Sequence, residues 1–374
     1  MKKVLMVATY GDFFAAFETR NIMILNNMGC EVHLCANWTD PNYNYKHEKL
    51  KGLEFKKVDI EFERSPFSIK NTRSYRQLSK LIKEEKYWLV DCHNAVIGVY
   101  ARIAAKKNKV PKIMYTVHGF QFYSSGPKRD WIIYYPIEKW LSRYTDALLV
   151  MNLEDQAISE KFHARNNYFI HGVGIDVEKF CSVDKQYKKN KKDLGIPEHS
   201  LVLLSVGELS ERKNHKTVIE ALSKVNDPSI YYLIAGEGEE RKKLSELIKK
   251  LDLSSNIKLL GYRSDIDDLN KIADVAIFPS LREGLMIAGL ESLASSTPII
   301  ASNRKGLSDY TIDGITGYRI DPNSVYDIAD KIRKFRESPE ILVNMEKNTV
   351  NKAKEYSIEV VENEMEKIYF DLLS

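Results

Sequence analysis

Short apolar segments alternate with longer amphipathic segments along nearly the whole chain of 374 residues. A first series comprises Val4–Thr9, Glu31–Cys35, Trp88–Cys92, Lys112–Val117, Ala147–Met151 and Tyr168–His171. A second series comprises Leu201–Val206, Ile230–Ala235, Ile257–Leu260, Val275–Phe278, Pro298–Ala301 and Gly317–Ile320. Apolar strands separated by helices are typical of parallel sheets that helices cover on both faces. The pattern predicts an α/β protein with two doubly wound sheets in tandem.

Helical periodicity fills the intervals between these segments. It is clearest in Phe13–Met28, Tyr75–Glu85, Thr217–Val225 and Glu239–Leu251, and three more helices are predicted at Val325–Arg336, Ile341–Lys354 and Ile358–Leu373. A lysine-rich stretch from Cys181 to Pro197 separates the two series and predicts a linker. We therefore expect a first domain of residues 1–180, joined by the helix at 358–374, and a second domain of residues 181–357.

Charge is unevenly distributed, although the net charge of +4 is small. Residues 1–180 carry 27 Lys and Arg against 20 Asp and Glu, whereas residues 181–374 carry 29 against 32. Residues 101–150 hold nine basic and three acidic residues, interleaved with Trp131, Tyr134 and Trp140. The small net charge does not favour a nucleic-acid partner. The basic, aromatic stretch suits an anionic membrane surface, or its aromatic residues belong to the core side of an ordinary helix.

The compartment is predicted from what the sequence lacks. No apolar run approaches the roughly 20 residues that cross a bilayer, and the segment after Met1 shows no cleavage pattern of a leader. The four cysteines, Cys30, Cys35, Cys92 and Cys181, show neither CxxC pairing nor metal-ligand spacing. We expect a cytoplasmic protein with four structural thiols.

Common nucleotide fingerprints are also missing. The loop Tyr10–Phe14 after the first strand has one glycine, and Gly236–Gly238 lacks the third glycine of a dinucleotide-binding turn. A P-loop is absent as well. These observations disfavour nicotinamide, flavin and P-loop enzymes. Asp265 and Asp267 have the form of a metal-binding pair, but we interpret them as acids at the start of a helix.

The most informative loop follows the predicted strand Val275–Phe278. It carries Glu283 and Gly284, and a helix is predicted to start near Leu285. The first amides of a helix bind anions, and a phosphate is the natural occupant here. The amides in question are those of Leu285, Met286 and Ile287.

A second carboxylate, Glu291, follows Glu283 by eight residues. Wholly helical spacing would separate them by about 12 Å, which is the dimension of a nucleotide sugar. One carboxylate can then meet sugar hydroxyls while the other binds the ribose diol.

Two further loops carry candidate residues at strand ends. Gly207 follows the first strand of the second series, and Arg212 and Lys213 precede the next helix, where they can supply positive charge to a diphosphate. His118 follows the fourth strand of the first series and precedes a glycine. The alternatives are exposed loop cations and a structural histidine.

Together these segments resemble the retaining glycosyltransferases of family 4, whose GT-B fold has two Rossmann-like domains facing a central cleft. The resemblance covers essentially the whole chain. Its carriers are His118–Phe120, Tyr134–Asp146, Gly172–Asp176, Gly207–Lys213, Ala235–Gly238, Gly261–Arg263 and the pair Glu283 and Glu291. The chain is most similar to the bacterial branch that builds capsular polysaccharides and exopolysaccharides on lipid carriers.

The resemblance implies roles for the matching residues. Glu283 would contact the donor sugar, Glu291 the ribose hydroxyls and Lys213 the diphosphate, and His118 would face the transferred sugar. Tyr10 and Gly11 would lie in a loop that closes over acceptor and donor. The other donor-site residues would be Gly207, Arg212, Tyr262, Arg263, Gly284, Leu285, Met286 and Ile287.

The implied activity is a retaining, metal-independent hexosyltransferase without a cofactor. Its co-substrate would be a nucleotide diphosphate sugar, with uridine as the expected base, and its acceptor a lipid-linked oligosaccharide at the inner face of the plasma membrane. A sugar-nucleotide 2-epimerase and a non-catalytic, nucleotide-sugar-binding subunit of a glycan-assembly complex remain alternatives. Glu208 and Met286 motivate the latter, because they stand where the family usually has an arginine and a small residue.

Overall fold

The computed structural model describes residues 1–39, 47–65, 68–181 and 191–374. The chain divides into two compact units. The first comprises Met1–Gly174 with Glu359–Ser374, and the second comprises Ile175–Ile358. Most of the predicted linker, residues 182–190, lies outside the described residues.

The first unit contains a seven-stranded parallel sheet of order β3-β2-β1-β4-β5-β6-β7. Its strands are β1 (Lys3–Tyr10), β2 (Glu31–Asn37), β3 (Lys56–Asp59), β4 (Leu89–His93), β5 (Lys112–Val117), β6 (Ala147–Val150) and β7 (Asn166–Phe169). Its first helices are α1 (Gly11–Phe13), α2 (Thr19–Asn27), α3 (Lys70–Glu85), α4 (Ala95–Lys107), α5 (Lys128–Leu141) and α6 (Leu153–Ser159), with 3₁₀ turns at His47–Leu50 and Ser142–Tyr144. The sequence pattern missed β3, because only Val58 among its four residues is apolar.

The predicted helix Phe13–Met28 is interrupted by a π-helical turn. Helices α1 and α2 are joined by the π-helical segment Phe14–Glu18. This turn buries Glu18, which is 1% exposed. The interruption therefore turns the Glu18 carboxylate into the interior of the first unit. The apolar periodicity of the sequence does not predict this placement.

The second unit contains a six-stranded parallel sheet of order β10-β9-β8-β11-β12-β13. Its strands are β8 (Leu201–Val206), β9 (Ile230–Ala235), β10 (Ile257–Gly261), β11 (Val275–Phe278), β12 (Ile299–Ser302) and β13 (Gly317–Ile320). The helices are α7 (Val177–Cys181), α8 (His215–Val225), α9 (Arg241–Lys250), α10 (Ile266–Ile272), α11 (Ile287–Ala294), α12 (Val325–Glu337) and α13 (Glu340–Lys354), with 3₁₀ turns at Lys191–Leu194 and Glu211–Lys213. The two parallel sheets with covering helices confirm the predicted doubly wound α/β class.

The last helix, α14 (Ile358–Leu373), packs against the first unit. The Tyr369 hydroxyl donates to Asp91 Oδ2 over 3.1 Å, and Trp88 Nε1 donates to the carbonyl of Leu372 over 3.0 Å. Both contacts end on β4 or on the residue before it. The C-terminal residues thus complete the core beneath the first sheet.

Candidate functional site

Glu283, in the loop after β11, is paired with two cations from the loop after β8. Its Oε1 lies 2.8 Å from Lys213 Nζ and 2.7 Å from Arg212 Nη1. Burial alone would raise the pKa of Glu283, but attraction to Lys213 and then to Arg212 lowers it overall. The carboxylate is therefore ionised at neutral pH, and the three side chains carry one positive charge in excess. Structure brings these three predicted residues together.

Three hydrogen bonds to backbone carbonyls connect the loop after β8 with the loop after β11. The Leu281 amide donates to the Arg212 carbonyl over 2.9 Å, and Arg212 Nη1 donates to the Arg282 carbonyl over 3.1 Å. Asn214 Nδ2 donates to the Pro279 carbonyl over 3.2 Å. Because β8 and β11 are neighbours in the sheet, their loops lie side by side. These bonds therefore fix the positions of Arg212 and Lys213 relative to Glu283.

Glycines allow the loops after β8 and β9 to touch. A Cβ on Gly236 would lie 1.8 Å from the carbonyl oxygen of Gly207, and one on Gly238 would lie 2.3 Å from that of Leu209. A Cβ on Gly207 itself would lie 3.3 Å from Lys213 Cε. Gly207 thus leaves room for the lysine stem to run along the backbone toward Glu283.

The helix after Glu283 begins later than predicted. Helix α11 starts at Ile287, with Met286 in extended backbone conformation before it. The predicted start near Leu285 is wrong by two residues, so the amides of Leu285 and Met286 are not helix-start amides. The physical reason is the backbone of Met286, whose φ of −94° and ψ of 101° lie outside the helical region. Its carbonyl accepts from the Gly289 amide over 3.2 Å in the first turn and also from the Tyr310 hydroxyl over 2.9 Å.

Met286 also points inward. Its side chain is 4% exposed, and its sulfur lies 3.7 Å from Lys213 Nζ. Gly284 lies in the turn before it, and a Cβ on Gly306 would come within 2.5 Å of the Gly284 carbonyl oxygen. The turn is therefore enclosed by the loop after β12. Lys305 lies in that loop and is buried. It was not predicted as a site residue, because no function was assigned to the segment between the predicted strands Pro298–Ala301 and Gly317–Ile320.

Glu291 is half-buried on α11. Only the part of the chain from Ile287 is helical, which corresponds to a rise of about 6 Å along the axis. The estimate of about 12 Å assumed helical spacing from Glu283 onward and does not apply. Glu291 remains on the same element that begins beside the Glu283 turn.

Tyr262 and Arg263, two of the predicted donor-site residues, directly follow β10. Tyr262 is 67% exposed, and Arg263 binds Asp265 through Nε to Oδ1 at 2.7 Å and through a second contact from Nη2 to Oδ2. Asp265 precedes α10 but makes no side-chain capping hydrogen bond. Asp265 thus lies at the start of the helix, as expected, and its carboxylate is the counter-ion of Arg263.

In the first unit, His118 follows β5 and contacts a second histidine. Its Nε2 lies 3.3 Å from Nδ1 of His93, the last residue of β4. His93 in turn faces two acids, with Nε2 3.4 Å from Asp91 Oδ1 and Nδ1 3.6 Å from Glu18 Oε1. His93 was not predicted as a site residue, because it lies one residue beyond the predicted strand Trp88–Cys92. The usable signal was alternation, since Asp91 and His93 lie on the same side of a strand next to β5.

The two histidines differ in protonation state at neutral pH. Burial would lower the pKa of His93, but Glu18 and Asp91 raise it to about 9. Burial and then repulsion from His93 lower the pKa of His118 to about 3. At neutral pH His93 is a cation whose Nδ1–H can donate, so His118 Nε2 accepts and His118 carries its proton on Nδ1.

Glu18, His93 and His118 form the one group in the described part of the chain in which three His, Cys, Asp or Glu residues bring ligand-type atoms within 4.8 Å of one another. The closeness of Glu18 to His93 is that of opposite charges. The geometry therefore has an explanation in ion pairing, and we assign no metal to it.

The end of β1 and the start of α1, which follow each other without the loop expected at Tyr10 and Gly11, line a pocket in the first unit. The pocket has a volume of about 600 Å³, and Tyr10, Asp12, Arg64 and Asn94 are among its lining residues. A second cavity of about 180 Å³, lined by His118, shares Asn94 with it. Gly11 is required by packing, because a Cβ there would lie 2.2 Å from the Trp38 ring.

Comparison with known proteins identifies the class. The family described as "Glycosyl transferase 4-like" matches residues 3–152, and "Glycosyl transferases group 1" matches residues 186–355. The chain is 35% identical over 347 residues to the putative glycosyltransferase EpsD of Bacillus subtilis, covering 91% of this chain and 89% of that protein. It therefore belongs to the family 4 glycosyltransferases.

More distant comparisons agree with this membership. The chain is 31% identical to UDP-Gal:alpha-D-GlcNAc-diphosphoundecaprenol alpha-1,3-galactosyltransferase of Escherichia coli, over 76% of this chain and 75% of that protein. The UDP complex of Alr3699/HepE from Anabaena is similar in structure, with a TM-score of 0.79 and 17% identity over 99% of this chain and 100% of that one. These similarities confirm the predicted GT-B fold class.

Proposed function

We propose that the protein transfers a hexose or N-acetylhexosamine from a UDP-sugar to a lipid-linked oligosaccharide, with retention of anomeric configuration and without a metal. The carrying observation is the buried cluster of Glu283, Lys213 and Arg212 beside the start of α11. Its excess positive charge suits a diphosphate, and its carboxylate suits sugar hydroxyls.

Lys213 is the residue best placed to stabilise the leaving group. When the bond from the anomeric carbon to the β-phosphate oxygen breaks, negative charge develops on the diphosphate. A buried ammonium and the amides at the start of α11 stabilise that charge more strongly than water would. The ammonium thereby supplies the positive charge that a metal supplies elsewhere.

Retention follows from attack on the face that the diphosphate leaves. The acceptor hydroxyl forms the new bond to the anomeric carbon, and the departing phosphate oxygen takes its proton. In this scheme Glu283 orients the sugar and offsets the positive charge on its ring, while the Nδ1–H of neutral His118 donates to a sugar hydroxyl. Glu291 binds the ribose diol.

The acceptor is proposed from the relatives. The Escherichia coli relative is named for a diphosphoundecaprenol-linked substrate. A lipid-linked acceptor of this kind would place the protein at the cytoplasmic face of the plasma membrane, in capsule or exopolysaccharide synthesis. No helix within the described ranges is long and apolar enough to cross a membrane.

The test starts with the donor. Purified protein is screened against UDP-glucose, UDP-galactose, UDP-N-acetylglucosamine and UDP-N-acetylgalactosamine by thermal shift, and UDP release is then measured with an undecaprenyl-diphosphate-linked sugar in the presence of EDTA. We expect transfer, an α-linked product from an α-linked donor, and loss of transfer in Glu283→Gln. Glu246→Gln, at an exposed position on α9, is the control.

Other outcomes favour the alternatives. An isomerised nucleotide sugar without free UDP would indicate an epimerase. Donor binding without transfer or hydrolysis, unchanged in Glu283→Gln, would indicate a binding subunit. Loss of transfer in EDTA that Mg²⁺ restores would overturn the metal-independent mechanism.

A further inference from the structure

Helix α5 presents apolar side chains to solvent. Ile132 is 74% exposed, Ile133 42%, Ile137 40% and Trp140 46%. At 3.6 residues per turn these four side chains lie within an arc of about 140° on the outer side of the helix. A surface helix normally turns polar residues outward, and a contiguous apolar face of this kind marks an interaction surface. We call these four residues the α5 face.

The opposite side of α5 already meets the core. Trp131, Tyr134 and Tyr135 pack against the hydrophobic core of the first unit. The only acid on this inner side is buried Glu138, which accepts from Arg102 Nη2 over 2.7 Å. The α5 face is therefore not among the residues that pack against this core. Of the aromatic residues considered in the sequence analysis, Trp131 and Tyr134 are core-packing, whereas Trp140 is turned outward.

Cations surround the α5 face. Lys128 and Arg129 are exposed at the start of the helix, and Arg143 is exposed just after its end. Lys106 from α4 reaches the same end, with Nζ 5.7 Å from the centre of the Tyr144 ring, which itself lies 5.2 Å from the Trp140 ring.

The acids of α5 cancel only part of this charge. Asp130 is paired with Arg129 at 3.2 Å and the inner acid with Arg102, so the excess positive charge rests on Lys128, Lys106 and Arg143. The helix therefore combines an apolar strip with a cationic rim. That combination is complementary to the headgroups and upper acyl chains of an anionic lipid leaflet.

We propose that the α5 face inserts into an anionic membrane surface, with the surrounding lysines and arginines contacting lipid phosphates. The inference rests on the proposed function in one respect, because a lipid-linked acceptor would lie in such a membrane. Membrane binding itself does not require sugar transfer. Trp140 and the three isoleucines supply the apolar contact, and the tryptophan ring lies at headgroup depth.

A second copy of this chain is the competing occupant. A twofold interface through the α5 face would juxtapose the same cationic rim from both copies. Like charges at such short range oppose association, whereas a phosphate-bearing surface neutralises them. The charge distribution therefore favours the membrane.

The experiment is sedimentation of the full chain with phosphatidylcholine vesicles, with and without phosphatidylglycerol. We expect binding only to the anionic vesicles, weakening with salt. Ile132→Glu and Ile137→Glu should each weaken partitioning about tenfold or more, because each loses apolar burial and adds a repelled charge. Val343→Glu is the matched control, since Val343 is 69% exposed on α13 of the second unit.

Three results would overturn the proposal. These are no binding of the wild-type chain to anionic vesicles, wild-type binding by both isoleucine variants, and equal loss in Val343→Glu. Light scattering after size exclusion tests the competing occupant, because a dimer that Ile132→Glu dissociates without affecting vesicle binding would assign the face to a second copy. Equal melting temperatures of all variants show that the fold is intact.

The same samples separate this proposal from the proposed function. UDP release from a UDP-sugar is measured without vesicles in each variant. A variant that releases UDP at the wild-type rate but no longer binds vesicles supports a role of α5 in membrane binding that is separate from the reaction. Vesicle binding by a wild-type chain that releases no UDP and transfers no sugar would retain the membrane role and reject the transferase.

Discussion

Lys213 and Glu283 form a buried ion pair across two loops of the second unit, with Nζ and Oε1 2.8 Å apart. Each residue is only 9% exposed. A buried pair of this kind rarely increases stability over apolar residues of similar size, because both charges lose their hydration. Its presence is better explained by function, and Arg212, on the same carboxylate oxygen, leaves the cluster positive.

Replacing Lys213 by alanine should chiefly lower turnover. Loss of one preorganised charge at the leaving group costs about 10²–10³-fold in kcat, whereas Arg212 keeps part of the attraction for the diphosphate. Steady-state UDP release with the best donor, together with calorimetric UDP binding, measures both effects. Lys216→Ala is the control, because the Lys216 side chain is 66% exposed on the next turn. An unchanged kcat in Lys213→Ala would discard the assignment of Lys213 to the leaving group.

Glu291→Ala should act on nucleotide binding. Charge-assisted hydrogen bonds from a diol contribute about 1.5–3 kcal/mol, so we expect the Kd for UDP to rise about ten- to a hundredfold. The kcat at saturating donor should change less. Isothermal titration with UDP checks this, with Glu337→Ala on the exposed end of α12 as the matched acid. Equal Kd values in the two variants would contradict the proposed ribose contact.

The sequence predicts the elements that have one clear pattern. Strands β8 and β9 lie at the predicted bounds, because each is a continuous apolar run. It does not predict β3, whose exposed lysines look like loop residues, nor the late start of α11, where Met286 adopts an extended backbone conformation.

The candidate site shows the same division. Glu283, Lys213 and Arg212 are recognisable because they follow strands of one sheet, and neighbouring strands bring their loops together. Glu18 is not, since its burial arises from a π-helical turn. His93 lies one residue beyond the predicted strand, although strand alternation places it on the same side as Asp91. The orientation of α5 is also hidden, because both of its faces are apolar in sequence.

Gly236→Ala should disrupt the loops around Lys213. The added Cβ would lie 1.8 Å from the Gly207 carbonyl oxygen, so the two loops must separate, at a cost of about 1–3 kcal/mol or more. Gly314→Ala is the control, because Gly314 has a φ of +77° and nothing within 4 Å of the added Cβ. It should cost only the about 1–2 kcal/mol of a left-handed backbone. Urea unfolding measures both, and a smaller loss for Gly236→Ala than for Gly314→Ala would contradict the described contact.

His93 should make stability depend on alkaline pH. Its pKa is raised from 6.5 to about 9 by Glu18 and Asp91 against the effect of burial, so the protonated form stabilises the fold. That contribution is complete below the unfolded pKa of about 6.5 and is lost as the pH rises through about 9. The neighbouring His118, with its pKa lowered to about 3, acts at the other end: its contribution is lost as the pH falls below about 6.5.

The measurement is the free energy of urea unfolding across neutral and alkaline pH. His93→Gln should remove the alkaline decline, while His199→Gln, at an exposed position in the second unit, should leave it. If His93 also fixes the proton of His118 on Nδ1, the ¹⁵N chemical shifts of His118 should change in His93→Gln. An alkaline decline that persists in that variant would show that another group titrates.

Tyr369→Phe tests the attachment of α14 to the first unit. The hydroxyl donates to Asp91 Oδ2 over 3.1 Å, and burial, with Asp91 nearby, holds the pKa of Tyr369 well above its usual range, so it remains a donor. Its removal leaves the buried carboxylate oxygen without that donor and should cost about 1–3 kcal/mol. Phe370→Ala, one residue later and 67% exposed, should change the unfolding free energy by no more than about 0.5 kcal/mol.

Hydrogen exchange locates the effect: because Asp91 lies on β4, the amides of β1 and β4 should lose protection in Tyr369→Phe, whereas those of β8 should not. Equal protection in both sheets, or an effect of Phe370→Ala as large as that of Tyr369→Phe, would contradict a specific role for this bond in holding the last helix.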